Sequence, residues 1–110
     1  MSGINKAMLI GRVGTDPEVK ETANSKVAKF SLATTESWMK DGEKQERTEW
    51  HSVEVWGKLA GVVESYVSKG KQLYVEGKIQ TDSWEEEGGV KRSKTKIVAN
   101  TIQLLGKKDD

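Results

Sequence analysis

Four tryptophans, Trp38, Trp50, Trp56 and Trp84, stand in a chain of 110 residues that has a single phenylalanine. Two of them fall in the segment Thr48-Glu49-Trp50-His51-Ser52-Val53-Glu54-Val55-Trp56, where an extended backbone sends alternate side chains to opposite faces. His51, Val53 and Val55 share one face, while Trp50, Ser52, Glu54 and Trp56 share the other. A half-buried strand turns its β-branched apolar set inward, so the two indoles point outward beside a serine and a glutamate. Outward indoles at this spacing make a flat, apolar platform of π-faces. Single-stranded nucleic acid suits such a platform, because each base stacked on an aromatic ring is worth about 1–3 kcal/mol. A neighbouring subunit's surface and an oligosaccharide are the other occupants that the same parity admits.

Other chemistry is thin. One histidine and no cysteine leave no convergent metal-ligand set and no nucleophile with a partnered base. His51 shares the face of Val53 and Val55 and reads as a core or subunit-interface residue. The carboxylates fall in loops or at outward strand positions, with no pair set on an apolar background that would separate their pKa values. Gly11-Arg12-Val13-Gly14 lacks the spacing and the following helix of a phosphate-binding loop. The chain therefore reads as a binding protein and not an enzyme, with no catalytic residue, metal, cofactor or small-molecule substrate. Net charge is only +1, so any cationic surface must come from local segregation. Candidate phosphate contacts are Lys6, Arg12, Lys20, Lys58, Lys69, Lys71, Lys78, Arg92, Lys94 and Lys96.

The elements that would carry these residues follow from pattern. Ala7-Met8-Leu9-Ile10 is a continuous apolar run, as in a strand covered on both faces, which suggests a partner subunit against Leu9 and Ile10. Turn chemistry at Gly14-Thr15-Asp16-Pro17 and Thr22-Ala23-Asn24-Ser25 brackets a short extended piece, Glu18 to Glu21. From Val27 to Thr35, Ala28, Phe30, Leu32 and Thr34 alternate with Lys29, Ser31 and Ala33. Ser37 to Thr48 carries charge without periodicity and reads as a mobile loop, with Asp41-Gly42 as its hairpin tip. Leu59, Val62, Val63, Tyr66 and Val67 recur at helical spacing, predicting a helix over Lys58 to Ser68 that stops before Gly70 in the left-handed C′ position. A strand from Gln72 turns Leu73, Val75 and Ile79 inward and Tyr74, Glu76 and Lys78 outward. Trp84 joins the outward set if that strand continues unbroken. Glu85 to Gly89 reads as a flexible acidic turn held away from phosphate, and a last strand runs through Ile97, Val98, Ile102, Leu104 and Leu105.

With 35% apolar and 32% charged residues, the chain predicts one small domain with a thin core, helped by subunit association. No apolar run approaches the roughly 18 residues that would span a bilayer. The absence of cysteine fits a reducing cytosol. The fold class is all-β: five strands with a helix between the third and fourth follow the order of the OB-fold, a Greek-key barrel.

Several blocks then carry a family resemblance: Asn5-Lys6, Gly14-x-Asp16-Pro17-Glu18-Val19, Phe30-Ser31-Leu32-Ala33-Thr34, Thr48-Glu49-Trp50-His51, Gly57-Lys58-Leu59-Ala60, Tyr66-Val67-x-Lys69-Gly70 and Tyr74-Val75-Glu76-Gly77. In this order they resemble the bacterial single-stranded DNA-binding proteins. The resemblance spans about residues 3 to 106. It implies a homotetramer of OB-folds that binds and wraps single-stranded DNA without sequence preference, protecting it in replication, recombination and repair in the bacterial cytoplasm and nucleoid. By position, Trp38, Trp50, Trp56 and Trp84 match the stacking aromatics, Lys6, Lys58 and Lys69 match phosphate-contacting bases, and His51 matches an interface histidine. Tyr74, Arg12 and Lys78 complete the expected nucleic-acid surface. Gln80-Thr81-Asp82-Ser83 and Glu85 to Glu87 are more acidic than the family's pattern before and after Trp84. Residues 1–106 form the expected binding domain. Residues 107–110 read as the start of a truncated or absent C-terminal tail, the segment that in the family recruits replication and repair proteins.

Overall fold

The computed structural model of the chain describes residues 3–106. Chain order is β1 (Ala7–Val13), β2 (Glu18–Glu21), β3 (Lys26–Lys40), β4 (Glu43–Trp56), α1 (Lys58–Tyr66), β5 (Gln72–Glu86) and β6 (Val90–Leu104). Strand pairing runs β1-β5-β6-β4-β3, and β1 returns to β3 at Arg12↔Ala33 and Val13↔Leu32. Five strands thus close on themselves, and closure removes the exposed edges that an open sheet of this size would carry. All the barrel pairings are antiparallel except β4 with β6. The short extended piece expected at Glu18 to Glu21 is the sixth strand, β2, laid along the outer edge of β3.

Alternation does what the sequence pattern demands. Ala28, Phe30 and Leu32 of β3, Val53 and Val55 of β4, and Leu73 and Val75 of β5 fill the barrel. α1 covers one end with Ala60 and Val63. Nine residues are too few for a stable isolated helix, so this burial is what holds it. The helix stops at Tyr66 and not at Ser68: Val67 turns extended to reach the core, and Gly70, at φ 92°, belongs to the following turn. Tyr66, expected on the apolar helix face, is exposed.

β1 differs from its expected two-sided burial. Leu9 packs against the barrel's own core, whereas Met8 and Ile10 stand exposed on the outer face. Before β1 begins, the Asn5 side chain donates to the Ile79 carbonyl at 2.8 Å and accepts from the Ile79 N–H at 2.9 Å, adding one side-chain rung to the β1–β5 ladder. Ile79 is on the core side of β5, as its parity predicts, but it is exposed where the strand leaves the barrel.

The largest departure concerns the segments beyond the barrel. Ser37 to Thr48 is no loop: the β3–β4 ladder runs without a register break to Lys40↔Glu43, with Asp41 (φ 52°) and Gly42 (φ 79°) alone at the tip. Two successive residues of positive φ are what a two-residue type I′ hairpin turn requires, and Asp-Gly supplies them. β5 likewise continues through Glu86, so Glu85 and Glu86 are strand residues and the turn is confined to 87–89. Two long hairpin arms, β3–β4 and β5–β6, therefore project from the barrel.

Candidate nucleic-acid interface

Strand register arranges the outer face in rows. Ala33 of β3 pairs with both Arg12 of β1 and Trp50 of β4, so Arg12, Ala33 and Trp50 form one row across the sheet. Further along, Ser31 pairs with Ser52, Lys29 with Glu54, and Val27 with Trp56. Trp50 is 63% exposed and Trp56 46%, as their parity predicted. Six residues of strand separate the two rings by about 20 Å. Ser52 and Glu54 lie between them, flooring a groove of about 480 Å³ that Lys29, Asp82 and Lys94 also line.

Trp50 owes its attitude to a neighbour with no side chain. A Cβ on Gly14 would fall 2.4 Å from the indole Cζ3. Gly14 is fixed by its N–H donating to the Ser31 carbonyl at 2.8 Å. The ring edge fills the notch that this glycine leaves, while the residue as a whole stays exposed.

Trp56 is held differently. Its Nε1–H donates to Glu54 Oε1 at 2.6 Å. Glu54, expected to be a solvated outward carboxylate, is only 6% exposed. Its other oxygen accepts from Lys96 Nζ at 2.8 Å, and the same ammonium lies 2.8 Å from Asp82. Burial alone would raise the Glu54 pKa, yet the bonds from Lys96 and Trp56 outweigh it and the carboxyl lies below its ordinary value. Asp82 is lowered as well, first by the Lys96 bond and then by Gln80. The bonds to Asp82 and Glu54 hold the Lys96 pKa above the lysine range. No signal near residue 54 in the sequence announces this network, because its cation is 42 residues away.

The arms carry the other two indoles. β5 runs unbroken past Gln80, so Trp84 shares the outward parity of Tyr74 and Lys78, with Arg92 opposite it in register. Trp84, Arg92 and Lys91 line a second recess of about 380 Å³. Trp38 pairs with Gln45, which puts it on the ladder face of Thr34 and Leu32 and therefore opposite to the face of Trp50 and Trp56. By ladder parity, Trp38 is thus set apart from the other three.

Among the basic candidates, Arg12 donates to the Gly70 carbonyl at 3.1 Å and lines a recess of about 440 Å³ with Lys69 and Lys71. The Lys69 N–H donates to Asp16 at 2.8 Å, leaving its exposed ammonium toward solvent. Lys58 is exposed at the start of α1, and Lys78 is exposed in the row of Val98 and Glu54. Lys6 lies 3.5 Å from Glu76, which also accepts the Tyr74 hydroxyl at 2.7 Å. That bond comes first in holding the Glu76 pKa below its usual value and raising that of Tyr74. Tyr74 is half-buried opposite Ile10, away from the Trp50 row. His51, half-buried, shares a 2.9 Å hydrogen bond with Thr34. Lys96, a phosphate candidate by type, is committed to two carboxylates. No helix among the described residues is long and apolar enough to cross a membrane.

A closed five-stranded barrel with its helix between the third and fourth barrel strands, bearing aromatic rings on the outer strand faces, is an OB-fold of the kind that binds oligonucleotides or oligosaccharides. Residues 4–105 match the single-strand binding protein family. The chain is 49% identical over 110 residues to Single-stranded DNA-binding protein 1 of Chlorobaculum tepidum, covering 97% of this chain and 68% of that protein. Its structure is similar to that of the Plasmodium falciparum SSB complex with ssDNA, with a TM-score of 0.87 and 32% identity over 96% of this chain and 98% of that one. The chain belongs to the single-strand binding protein family, whose members bind DNA and are not catalysts.

Proposed function

We propose that this protein binds single-stranded DNA without sequence preference, stacking bases on Trp50, Trp56 and Trp84, with Trp38 engaging the strand on the far face of the β3–β4 arm. The observation that carries this reading is the outward pair Trp50 and Trp56, set on one strand with the Arg12 cation in the row of Trp50. Arg12, Lys58, Lys69 and Lys78 follow the phosphates, and Lys6 contributes where Glu76 does not hold it. Stacking supplies sequence tolerance because every base has a π-face, and the cations supply salt dependence. In the bacterial cytoplasm and nucleoid, this activity protects exposed single strands during replication, recombination and repair.

Assembly into a homotetramer lets one strand wrap several copies. The exposed Met8 and Ile10 beside β1 are the supporting observation, with His51 as a further interface candidate. Leu9 packs inward, so Ile10→Glu tests assembly without damaging the core. Recruitment of replication and repair proteins was expected of a tail beginning at residues 107–110, which lie outside the described residues.

Titration with oligo-dT tests the reading directly. Tryptophan emission should be strongly quenched, and affinity should fall steeply with salt. Unchanged emission at low salt with saturating oligonucleotide overturns it. Affinity insensitive to salt would point to a neutral ligand such as an oligosaccharide.

A further inference from the structure

We propose that Glu54, Lys96 and Asp82 form a positioning clamp that fixes the Trp56 ring and the root of the β5–β6 arm relative to each other, and that Lys96 is not a phosphate contact. The inference rests on the DNA-binding reading and adds to it the control of one stacking ring.

Three strands meet in the clamp. Glu54 belongs to β4, Lys96 to β6 and Asp82 to β5. β4 and β6 pair only over Val53↔Ile97 to Val55↔Ala99, and Lys96 is the first residue beyond that contact, where β6 departs into the arm. Its ammonium binds Glu54 on the barrel side and Asp82 on the arm side, each at 2.8 Å. Asp82 precedes Trp84 by two residues on the same face. One carboxylate oxygen of Glu54 anchors the Trp56 indole by its edge, while the other anchors the lysine. A chain of three polar contacts thus joins Trp56 to the strand that carries Trp84.

An indole bound by its N–H edge keeps its orientation without covering its face, so the ring is ordered before a base arrives. Pre-ordering reduces the entropy lost on binding. The lysine side chain is only 15% exposed, and removing its charge leaves a buried carboxylate without its main partner. A phosphate competing for Lys96 would have to displace two carboxylates and strip Glu54 of that support. Charge count by residue type therefore overstates the cationic surface here.

The test uses the full chain. In the unbound protein, the Trp56 indole N–H resonance should be displaced downfield by its carboxylate and protected from solvent exchange. Lys96→Met and Glu54→Leu should both shift it and speed exchange. With oligo-dT, Lys96→Met should weaken binding roughly tenfold while leaving the slope of log affinity against log salt unchanged. In a Trp56→Phe background the same change should cost less than it does in the wild type, because only the part acting through the β5–β6 arm remains and coupled residues are non-additive. A salt slope reduced by about one would make Lys96 a phosphate contact and overturn the proposal. Strict additivity with Trp56→Phe, or an indole resonance unmoved by Glu54→Leu, would also overturn it. Should Lys96→Met fail to fold, the paired change Glu54→Leu with Lys96→Met removes both charges together and gives the same readouts. Wild-type protein that is not quenched by oligo-dT would fail the DNA reading, while the indole resonance would still decide the clamp.

Discussion

The two hairpin arms are built from the same element and are anchored in different ways. The β3–β4 arm continues its ladder to a two-residue tip, with hydroxyl contacts at Thr34–His51 and Thr35–Thr48 near its base. Its ion pairs among the described residues, Lys44 with Glu46 and Arg47 with Glu49, join neighbours along one strand and fasten nothing across the arm. The β5–β6 arm is tied to the barrel at its root by Lys96, and Arg92 bonds Glu86 across it near the tip. Trp84 therefore sits on a braced lever, whereas Trp38 sits on one held mainly by backbone hydrogen bonds. Their faces differ as well, because Trp38 is on the ladder side opposite to Trp50.

The sharpest way to break this contrast is to remove each indole. Trp84→Ala should cost about tenfold or more in oligo-dT affinity, and Trp38→Ala only a few-fold, since a braced ring loses less freedom on binding. Equal losses in parallel quenching titrations would erase the distinction. Acid should separate the arms next. Glu54 and Asp82 have folded-state pKa values below their ordinary ones, so their contribution is complete above the unfolded carboxylate pKa and is lost as pH falls through the lowered values. Between pH 7 and 5 the root of the β5–β6 arm should be intact, and below about pH 4 it should loosen. Amide exchange across 80–96 should rise there before that across 34–49 does.

Smaller effects probe the other arm alone. Gly42→Val places a β-branched residue at φ 79° and should strip exchange protection from residues 36–47 while the global unfolding midpoint moves little. Smallest of all, Lys44→Ala and Arg47→Ala should leave the denaturation midpoint within error, as exposed ion pairs contribute little.

How far the sequence reached follows the same division. Inside the barrel, one covered face imposes a period of two, so the alternation of Phe30 with Ser31, of Val53 with Glu54 and of Val75 with Glu76 could be read directly. Beyond the barrel both faces of a hairpin are wet, the alternation vanishes, and 37–48 looks like a loop although its backbone ladder is complete. Only Asp41-Gly42 betrayed it. The outward placing of Trp50 and Trp56 was legible from local parity. The face of Trp38 required the β3–β4 register, and the burial of Glu54 required the approach of Lys96 and Asp82 from distant strands.

Gly14 has a bearing on how substitutions in this protein should be judged. A screen that scores positions by the side chain lost would pass over it, since there is none to lose. Yet Gly14→Ala adds a methyl where the Trp50 ring already lies, so a single added carbon would push aside the most exposed indole of the barrel. On the proposed stacking role of Trp50, binding is vulnerable at an empty place as well as at the filled ones.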